Sequence, residues 1–329
     1  MPETTAENAA ENGGTTLEKA ADKPIVPASA SDIVAETGPA PGKPRSLWSD
    51  AWHDLRRQPM FLISAGLIAL LLLIAFFPSL FTSASPRDAD LAKHYLQPPN
   101  WGHFFQPDWL GYDGQGRSIY ARVLYGARAS ILVGVGVTVL VTLLGTLVGM
   151  LAGYFGGWID SLLSRVTDIF FGVPFLLGAM VVLSSFEKRE VYVVIFALAF
   201  LGWTQIARVS RGAVITIKQA DYVVAAKALG ASTTRILTRH ILPNALAPII
   251  VVATIALGGY IAAEATLSFL GVGLAEPTVS WGVDVSSGRE QLRNASYVLI
   301  IPSVMVSITV LSFLMFGDAV RNALDPKLR

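Results

Sequence analysis

The sequence predicts an all-α polytopic membrane protein with six transmembrane helices. Hydrophobic residues make up 53% of the chain and charged residues only 15%, whereas about 25% of the residues of globular proteins are charged. Long runs without charge recur along the chain, and most approach the roughly 20 residues that a helix needs to cross a bilayer. The chain has no cysteine, which excludes disulfides and thiolate chemistry. A net charge of +1 argues against a nucleic-acid partner.

The first 45 residues differ in composition from the rest of the chain. They are rich in Ala, Glu, Thr and Pro and contain too little apolar surface to offset the entropy cost of ordering. We therefore predict a disordered cytoplasmic tail over 1–45 and a transmembrane domain over 46–329. The predicted spans cover about 58–81, 129–153, 166–185, 190–210, 245–268 and 295–317. An even number of spans places both termini on the same side of the membrane.

The distribution of Lys and Arg predicts which side that is. The segment 208–239 contains six basic residues, and cytoplasmic loops carry an excess of positive charge. The loop between the first two predicted spans is also basic, so the overall bias is modest. The balance places both termini and the loop 211–244 in the cytoplasm.

Within that loop, residues 221–244 (DYVVAAKALGASTTRILTRHILPN) predict two short helices outside the bilayer. Gly230 can adopt the left-handed conformation that ends the first helix. Ser232 is suited to cap the start of the second helix, and Pro243 is expected to stop it. Four residues of the first helix recur at helical spacing, and its adjacent alanines leave a shallow surface for another protein: Tyr222, Ala225, Ala226 and Leu229.

The spacing from Ala225-Ala226 to Gly230 and on to Leu242-Pro243 resembles the loop signature EAA-x3-G-x9-I-x-L-P of ABC importer permeases. Val224 stands in place of the Glu, and His240 stands in place of the Ile. The resemblance implies that the first helix docks on an ATPase subunit and transmits its motion to the spans. The coupling residues implied in this way are Asp221, Tyr222, Ala225, Ala226, Leu229, Gly230, Leu242 and Pro243.

A second resemblance lies in the first outer loop. Residues 110–117 (LGYDGQGR) and 122–128 (RVLYGAR) are similar to the LGTDxxGRD and RxxYGAR stretches of the peptide permeases, with Tyr112 and Ser118 as departures. Asp113 and Arg117 can tie this glycine-rich turn by a charge-assisted hydrogen bond. Two interpretations stay open: a purely structural loop, or a docking surface for an extracytoplasmic binding protein formed by Asp113, Gly116 and Arg117.

Further stretches at 153–160, 268–273, 280–282 and 324–329 extend the similarity over most of the chain after residue 50. On these motifs the chain is identified as resembling the C-type permease subunit of a dipeptide, oligopeptide or nickel ABC importer, with a type I importer permease fold. The resemblance implies a bacterial inner-membrane complex with a second permease subunit, two ATPase domains, an extracytoplasmic binding protein and a peptide substrate. ATP and Mg²⁺ would bind to the ATPase partners, and this chain would need no cofactor or metal.

Charged residues within or beside the spans require a partner, because an ionisable side chain is costly at the bilayer centre. Glu264 lies in the fifth predicted span, and either a gate or substrate-path role or a structural hydrogen bond would account for it. Asp160, Arg165 and Asp168 lie at the inner end of the third span. We expect Arg165 and Asp168, one helical turn apart, to form a structural ion pair.

A glycine repeat marks the second predicted span. Gly145, Gly149 and Gly153 are four residues apart, a spacing that allows two helices to approach closely. Either fixed close packing or a sliding interface would use this repeat.

Catalytic motifs are absent from the sequence. It contains neither a Gly-x4-Gly-Lys-Ser/Thr phosphate loop nor an HExxH motif, so we expect no enzymatic activity. His94 and His103 are better explained as solvated loop residues than as metal ligands, which places nickel below peptides as the substrate. The alternatives kept open are an importer of nickel or another small solute, a proton-coupled transporter using Glu264 and Asp168, and a non-transporting scaffold.

Overall fold

The computed structural model describes residues 52–324 except Asp54. These residues belong to a compact unit that spans Ser46–Arg329. Its helices are α1 (Pro59–Phe76), α2 (Leu91–His94), α3 (Ile119–Phe155), α4 (Gly157–Gly172), α5 (Phe175–Ser184), α6 (Val191–Ile217), α7 (Asp221–Ala228), α8 (Thr233–Arg235), α9 (Leu242–Phe269), α10 (Trp281–Arg289) and α11 (Tyr297–Leu324). The predicted tail over 1–45 lies outside the described residues.

Five of the six predicted spans correspond to helices long and apolar enough to cross a membrane. They are α1, α3, α6, the continuous stretch Thr233–Phe269, and α11. The third predicted span, 166–185, does not form one continuous helix. Its residues are divided between α4 and α5, which meet at an angle of 85° and together provide a sixth span if they cross as a pair.

The break between α4 and α5 is explained by Pro174. Proline has no N–H and disfavours a helical conformation in the residue before it. Val173 is accordingly extended (φ −81°, ψ 122°), and Pro174 (φ −58°, ψ 118°) directly precedes the first residue of α5. One imino acid therefore turns an apolar segment through nearly a right angle.

Helix α3 begins ten residues before the predicted start of the second span. The hydroxyl of Ser118 accepts a hydrogen bond from the N–H of Ala121 at 3.2 Å and caps this early start. The helix is 37 residues long, far more than the roughly 20 that a span needs. Its charge-free part begins at Ala129, so its first turns extend beyond the apolar layer.

The glycine repeat of α3 packs directly on α6. A Cβ atom on Gly145 would lie 2.7 Å from the carbonyl oxygen of Trp203, and one on Gly149 only 2.4 Å from that of Ala207. On Gly153 it would lie 2.9 Å from the carbonyl oxygen of Arg211. The close packing predicted from the sequence is therefore present, because a side chain at any of these positions would force the helices apart.

We predict that Gly149→Ala destabilises the chain, whereas Gly212→Ala does not. The added methyl group at residue 149 would overlap α6, and overpacking of this kind costs about 1–3 kcal/mol. Gly212 lies on α6 with open space around its Cβ position, so alanine should leave the melting temperature unchanged or raise it. Thermal unfolding of the purified variants in detergent measures this difference. Equal melting temperatures of the two variants would contradict the close packing of α3 on α6 at Gly149.

Candidate functional site

The loop that follows α6 presents a short helix, α7, beyond the end of the long helix pair. Gly230 ends α7 as predicted, with φ +79°. The N–H of Gly230 donates to the carbonyl of Lys227, and the N–H of Ala231 donates to that of Ala226, both at 3.0 Å. This pair of bonds is the Schellman arrangement, which satisfies the last carbonyls of a helix and requires a left-handed residue.

One side of α7 is anchored and the other is open. Val223 is buried in the main hydrophobic core, which fixes the helix to the bundle. Tyr222 is 47% exposed, Val224 55% and Leu229 88%. Ala225 is also exposed, and Asp221 begins the helix. The helix thus presents apolar side chains, with small residues between them, to whatever lies beyond this face of the protein.

The second helix of the loop does not end at Pro243. Ser232 caps it, accepting a hydrogen bond from the N–H of Arg235 at 3.4 Å. The chain then widens into a π-helical turn over Ile236–Ile241 and continues into α9. The N–H of Leu242 bonds to the carbonyl of Leu237, five residues back, and this wider turn accommodates a proline that has no N–H.

The predicted stop at Pro243 is therefore wrong, and the loop is mechanically continuous with the last-but-one span. Leu242 is partly buried, whereas Pro243 is exposed. His240, which departs from the family signature, places its ring 6.4 Å from that of Tyr222. It therefore joins the second helix of the loop to the first.

Two ion pairs connect α4 to α6 on the side of the loop 211–244. Arg211 holds Asp160 through two hydrogen bonds of 2.5 and 2.7 Å, and Arg208 donates to Asp168 at 2.9 Å. The predicted pair between Arg165 and Asp168 is wrong, because the partner of Asp168 comes from the neighbouring helix. Tertiary packing, which sequence spacing does not report, brings the two helices together here.

On the opposite face, the outer loop forms the predicted turn. Arg117 Nε donates to Asp113 Oδ2 at 2.7 Å, and the backbone N–H of Arg117 donates to Asp113 Oδ1 at 2.9 Å. Gly116 has φ +75°, and a Cβ there would lie 2.4 Å from the carbonyl oxygen of Asp90. The side chains of Asp113 and Arg117 are buried, so the turn is a rigid structural element.

The turn belongs to a larger, mostly buried network of ion pairs that sequence reasoning missed. Arg117 Nη1 also donates to Glu276 at 2.6 Å, and Arg122 Nε donates to Asp284 at 2.7 Å. Burial lowers the pKa of Arg117, but its bonds to Glu276 and Asp113 outweigh this effect and raise it above the usual value. The partners are about 160 residues apart in the chain, and nothing in the local sequence around Arg122 indicates its partner.

Comparison with known proteins shows the family. Residues 145–329 match the model of the binding-protein-dependent transport system inner membrane component, and residues 46–99 match the N-terminal transmembrane domain of oligopeptide transport permease C. The chain belongs to this permease family.

Relatives of the permease align over most of its length. It is 37% identical to the oligopeptide transport system permease protein OppC of Bacillus subtilis, over 87% of this chain and 92% of that protein. It is 36% identical to the dipeptide transport system permease protein DppC of Alkalihalophilus pseudofirmus, over 86% and 91%. Identity with the glutathione transport system permease protein GsiD of Salmonella typhimurium is 38%, over 88% and 93%.

In the permease, Glu264 is sealed inside the protein with no exposed surface. Its Oε1 accepts hydrogen bonds from Ser268 at 3.0 Å and from Ser280 at 3.3 Å. Ser280 caps the N-terminus of α10, where the helix dipole favours a negative charge. Oε2 has no hydrogen-bond partner among the described residues. Glu264 thus joins α9 to α10 and is closed off from open space in this conformation.

We predict that breaking the buried Arg122–Asp284 pair costs far more stability than breaking an exposed one. Arg122→Gln leaves the Asp284 carboxylate buried without its counter-charge, and losses of this kind reach about 3–5 kcal/mol. The double variant Arg122→Gln/Asp284→Asn should recover part of that loss. Melting temperatures in detergent provide the measurement.

The matched control is Lys93→Gln, which removes an exposed ion pair with Asp90 and should leave stability unchanged. An Arg122→Gln variant as stable as Lys93→Gln would show that the buried network does not hold the outer loop.

Proposed function

We propose that this permease forms half of the transmembrane path of an ATP-driven importer of peptides. The observation that carries the proposal is the similarity, over 86–88% of the chain, to permeases named for oligopeptides, dipeptides and glutathione. Glutathione is itself a tripeptide, so the three names share one substrate class. In this proposal a second permease subunit completes the path, and a binding protein delivers the peptide to the outer face.

Helix α7 is proposed as the contact with the ATPase. Three features support this role: Val223 fixes the helix to the core, Leu229 projects almost fully exposed, and Gly230 ends the helix sharply. An exposed leucine at a helix end gains about 1.5–3 kcal/mol when a partner buries it. In this proposal ATP and Mg²⁺ bind to the ATPase subunit, and the permease itself catalyses no step. Both termini and α7 are placed in the cytoplasm.

The continuity of the second loop helix with α9 supplies a route for coupling. Displacement of α7 would reach the π-helical turn through the contact between Tyr222 and His240. From there it would pass along α9 to Glu264 and α10. A proton-coupled mechanism is less well supported, because Asp168 is paired with Arg208 and Glu264 is sealed.

The proposal is tested by purifying the tagged chain from its own membrane in mild detergent. We expect a second permease and an ATPase to accompany it, and ATP hydrolysis to rise when binding protein and peptide are added together. Uptake that follows a proton gradient and survives ATP depletion would overturn the ATP-driven assignment.

We predict that Leu229→Asp weakens ATPase association by about tenfold or more, because it replaces buried apolar contact with a charge. The melting temperature of the isolated chain should not change, since Leu229 is 88% exposed. Leu229→Met is the matched control and should retain association and peptide-stimulated ATP hydrolysis. Normal stimulation in the Leu229→Asp complex would remove α7 from the interface.

We predict that Glu264→Gln retains most of the uptake, because the amide oxygen can still accept the bonds from Ser268 and Ser280. Glu264→Leu should lower the melting temperature, because it leaves two buried hydroxyl groups without their acceptor. Uptake of a labelled peptide into proteoliposomes and thermal unfolding measure the two effects. Loss of uptake in a stable Glu264→Gln variant would instead show that the charge acts in the gate or on the substrate.

A further inference from the structure

An open cleft of about 620 Å³ lies on the face of the permease opposite α7. Four parts of the chain form its walls: the loop 83–87, the part of α3 around Tyr125 and Arg128, the start of α6 at Val191, and the loop 277–279. We call it the outer cleft. Its volume falls within the range of about 300–1,000 Å³ typical of small-molecule sites.

The walls of the outer cleft contain positively charged side chains and no negatively charged ones. Arg87 and Arg128 both line it and are both exposed, and no aspartate or glutamate contributes to its walls. Arg128 forms no ion pair within the described part of the chain. The only hydrogen bond that the guanidinium of Arg87 forms within the described residues is a long one, 3.4 Å, to the carbonyl oxygen of Pro277. Two guanidinium groups are therefore available to a ligand.

The walls of the outer cleft are held in place by the buried network described above. Arg122, paired with Asp284, also donates to the carbonyl oxygen of Pro86 at 3.3 Å, which fixes the loop 83–87. Glu276, next to Pro277, is held by Arg117 at 2.6 Å. Glu276 and Asp284 are therefore engaged with Arg117 and Arg122, and neither arginine of the cleft forms an ion pair within the described residues.

The outer cleft lies at the end of the proposed transmembrane path where a substrate would enter. Val191, which begins α6, lines the cleft, whereas α7 follows the other end of the same helix. Arg128 directly precedes the charge-free part of α3. A ligand held by Arg128 would thus sit at the outer boundary of the apolar layer, where a delivered substrate first meets the spans.

We propose that the outer cleft binds the C-terminal carboxylate of the incoming peptide through Arg128 and Arg87. Guanidinium groups hold carboxylates through paired charge-assisted hydrogen bonds. The hydroxyl groups of Ser83, Ser85 and Thr278 line the same space and supply further donors. The absence of acidic groups from the walls excludes recognition of the peptide's ammonium end here. This inference rests on the proposed function in peptide import.

The first test uses the fact that the chain contains no cysteine. Thr278→Cys places a single thiol in the cleft, and its modification is followed on this chain by mass in the purified complex without binding protein. Relative to its rate with a small free thiol, the anionic sulfonatoethyl methanethiosulfonate should react about tenfold faster than its cationic trimethylammonioethyl counterpart, because the arginines concentrate anions. Adding Arg128→Gln should largely abolish this charge preference, whereas the exposed Arg293→Gln outside the cleft should not.

Protection by ligand identifies what the cleft binds. Trialanine should slow modification of Thr278→Cys, whereas trialanine amide should not. A thiol outside the cleft, at Asn294→Cys, should be protected by neither peptide. Equal effects of the acid and the amide, or no effect of either, would overturn the proposal. The same labelling is repeated with the complex in nanodiscs with and without phosphatidylglycerol. Protection that depends on phosphatidylglycerol and not on peptide would show that the cleft binds lipid and would also overturn the proposal.

A transport measurement separates this inference from the proposed function. In proteoliposomes with saturating binding protein, Arg128→Gln should raise the KM for trialanine about tenfold with little change in the maximal rate, and Arg128→Lys should recover part of the loss. Wild-type uptake with unchanged kinetics in Arg128→Gln would refute the carboxylate site and leave peptide import intact. A wild-type complex that imports no peptide would instead refute the proposed function.

Discussion

The close approach of α3 and α6 is the constraint on which the rest of the structure depends. It requires a glycine at residues 145, 149 and 153, since any side chain there would enter the backbone of α6. The ends of these two helices contribute to both faces of the protein. The outer end of α3 holds Arg122 and the wall of the cleft, and the far end of α6 leads into α7. Close packing of this kind brings the two helices together along their length.

The outer face is organised by a network of ion pairs around two buried arginines. Arg117 and Arg122 connect segments that are far apart in the chain, and their carboxylate partners come from the turn at Asp113, from Glu276 and from α10. Arg117 and Arg122 hold these three carboxylates, and neither Arg87 nor Arg128 forms an ion pair within the described residues. The same network therefore holds two walls of the cleft, through Pro86 and Glu276.

The helices depart from regular geometry at a π-helical turn and at a proline break. The π-helical turn at 236–241 and the break at Pro174 both adjoin segments that connect to the coupling side of the molecule. In each place a proline without an N–H disturbs the regular bond pattern, but with opposite results. At Pro243 the helix widens and continues, whereas at Pro174 it stops and turns through 85°.

The sequence by itself determined the class of protein, the positions of five spans, the end of α7 at Gly230 and the tie between Asp113 and Arg117. Each depends on local information: hydropathy, a glycine with positive φ, or charges four residues apart. Only the tertiary structure decided the partners of Asp168 and Arg122, the burial of Glu264 and the existence of the outer cleft. These depend on segments distant in the chain that packing brings together, and no periodicity in a single chain records such contacts.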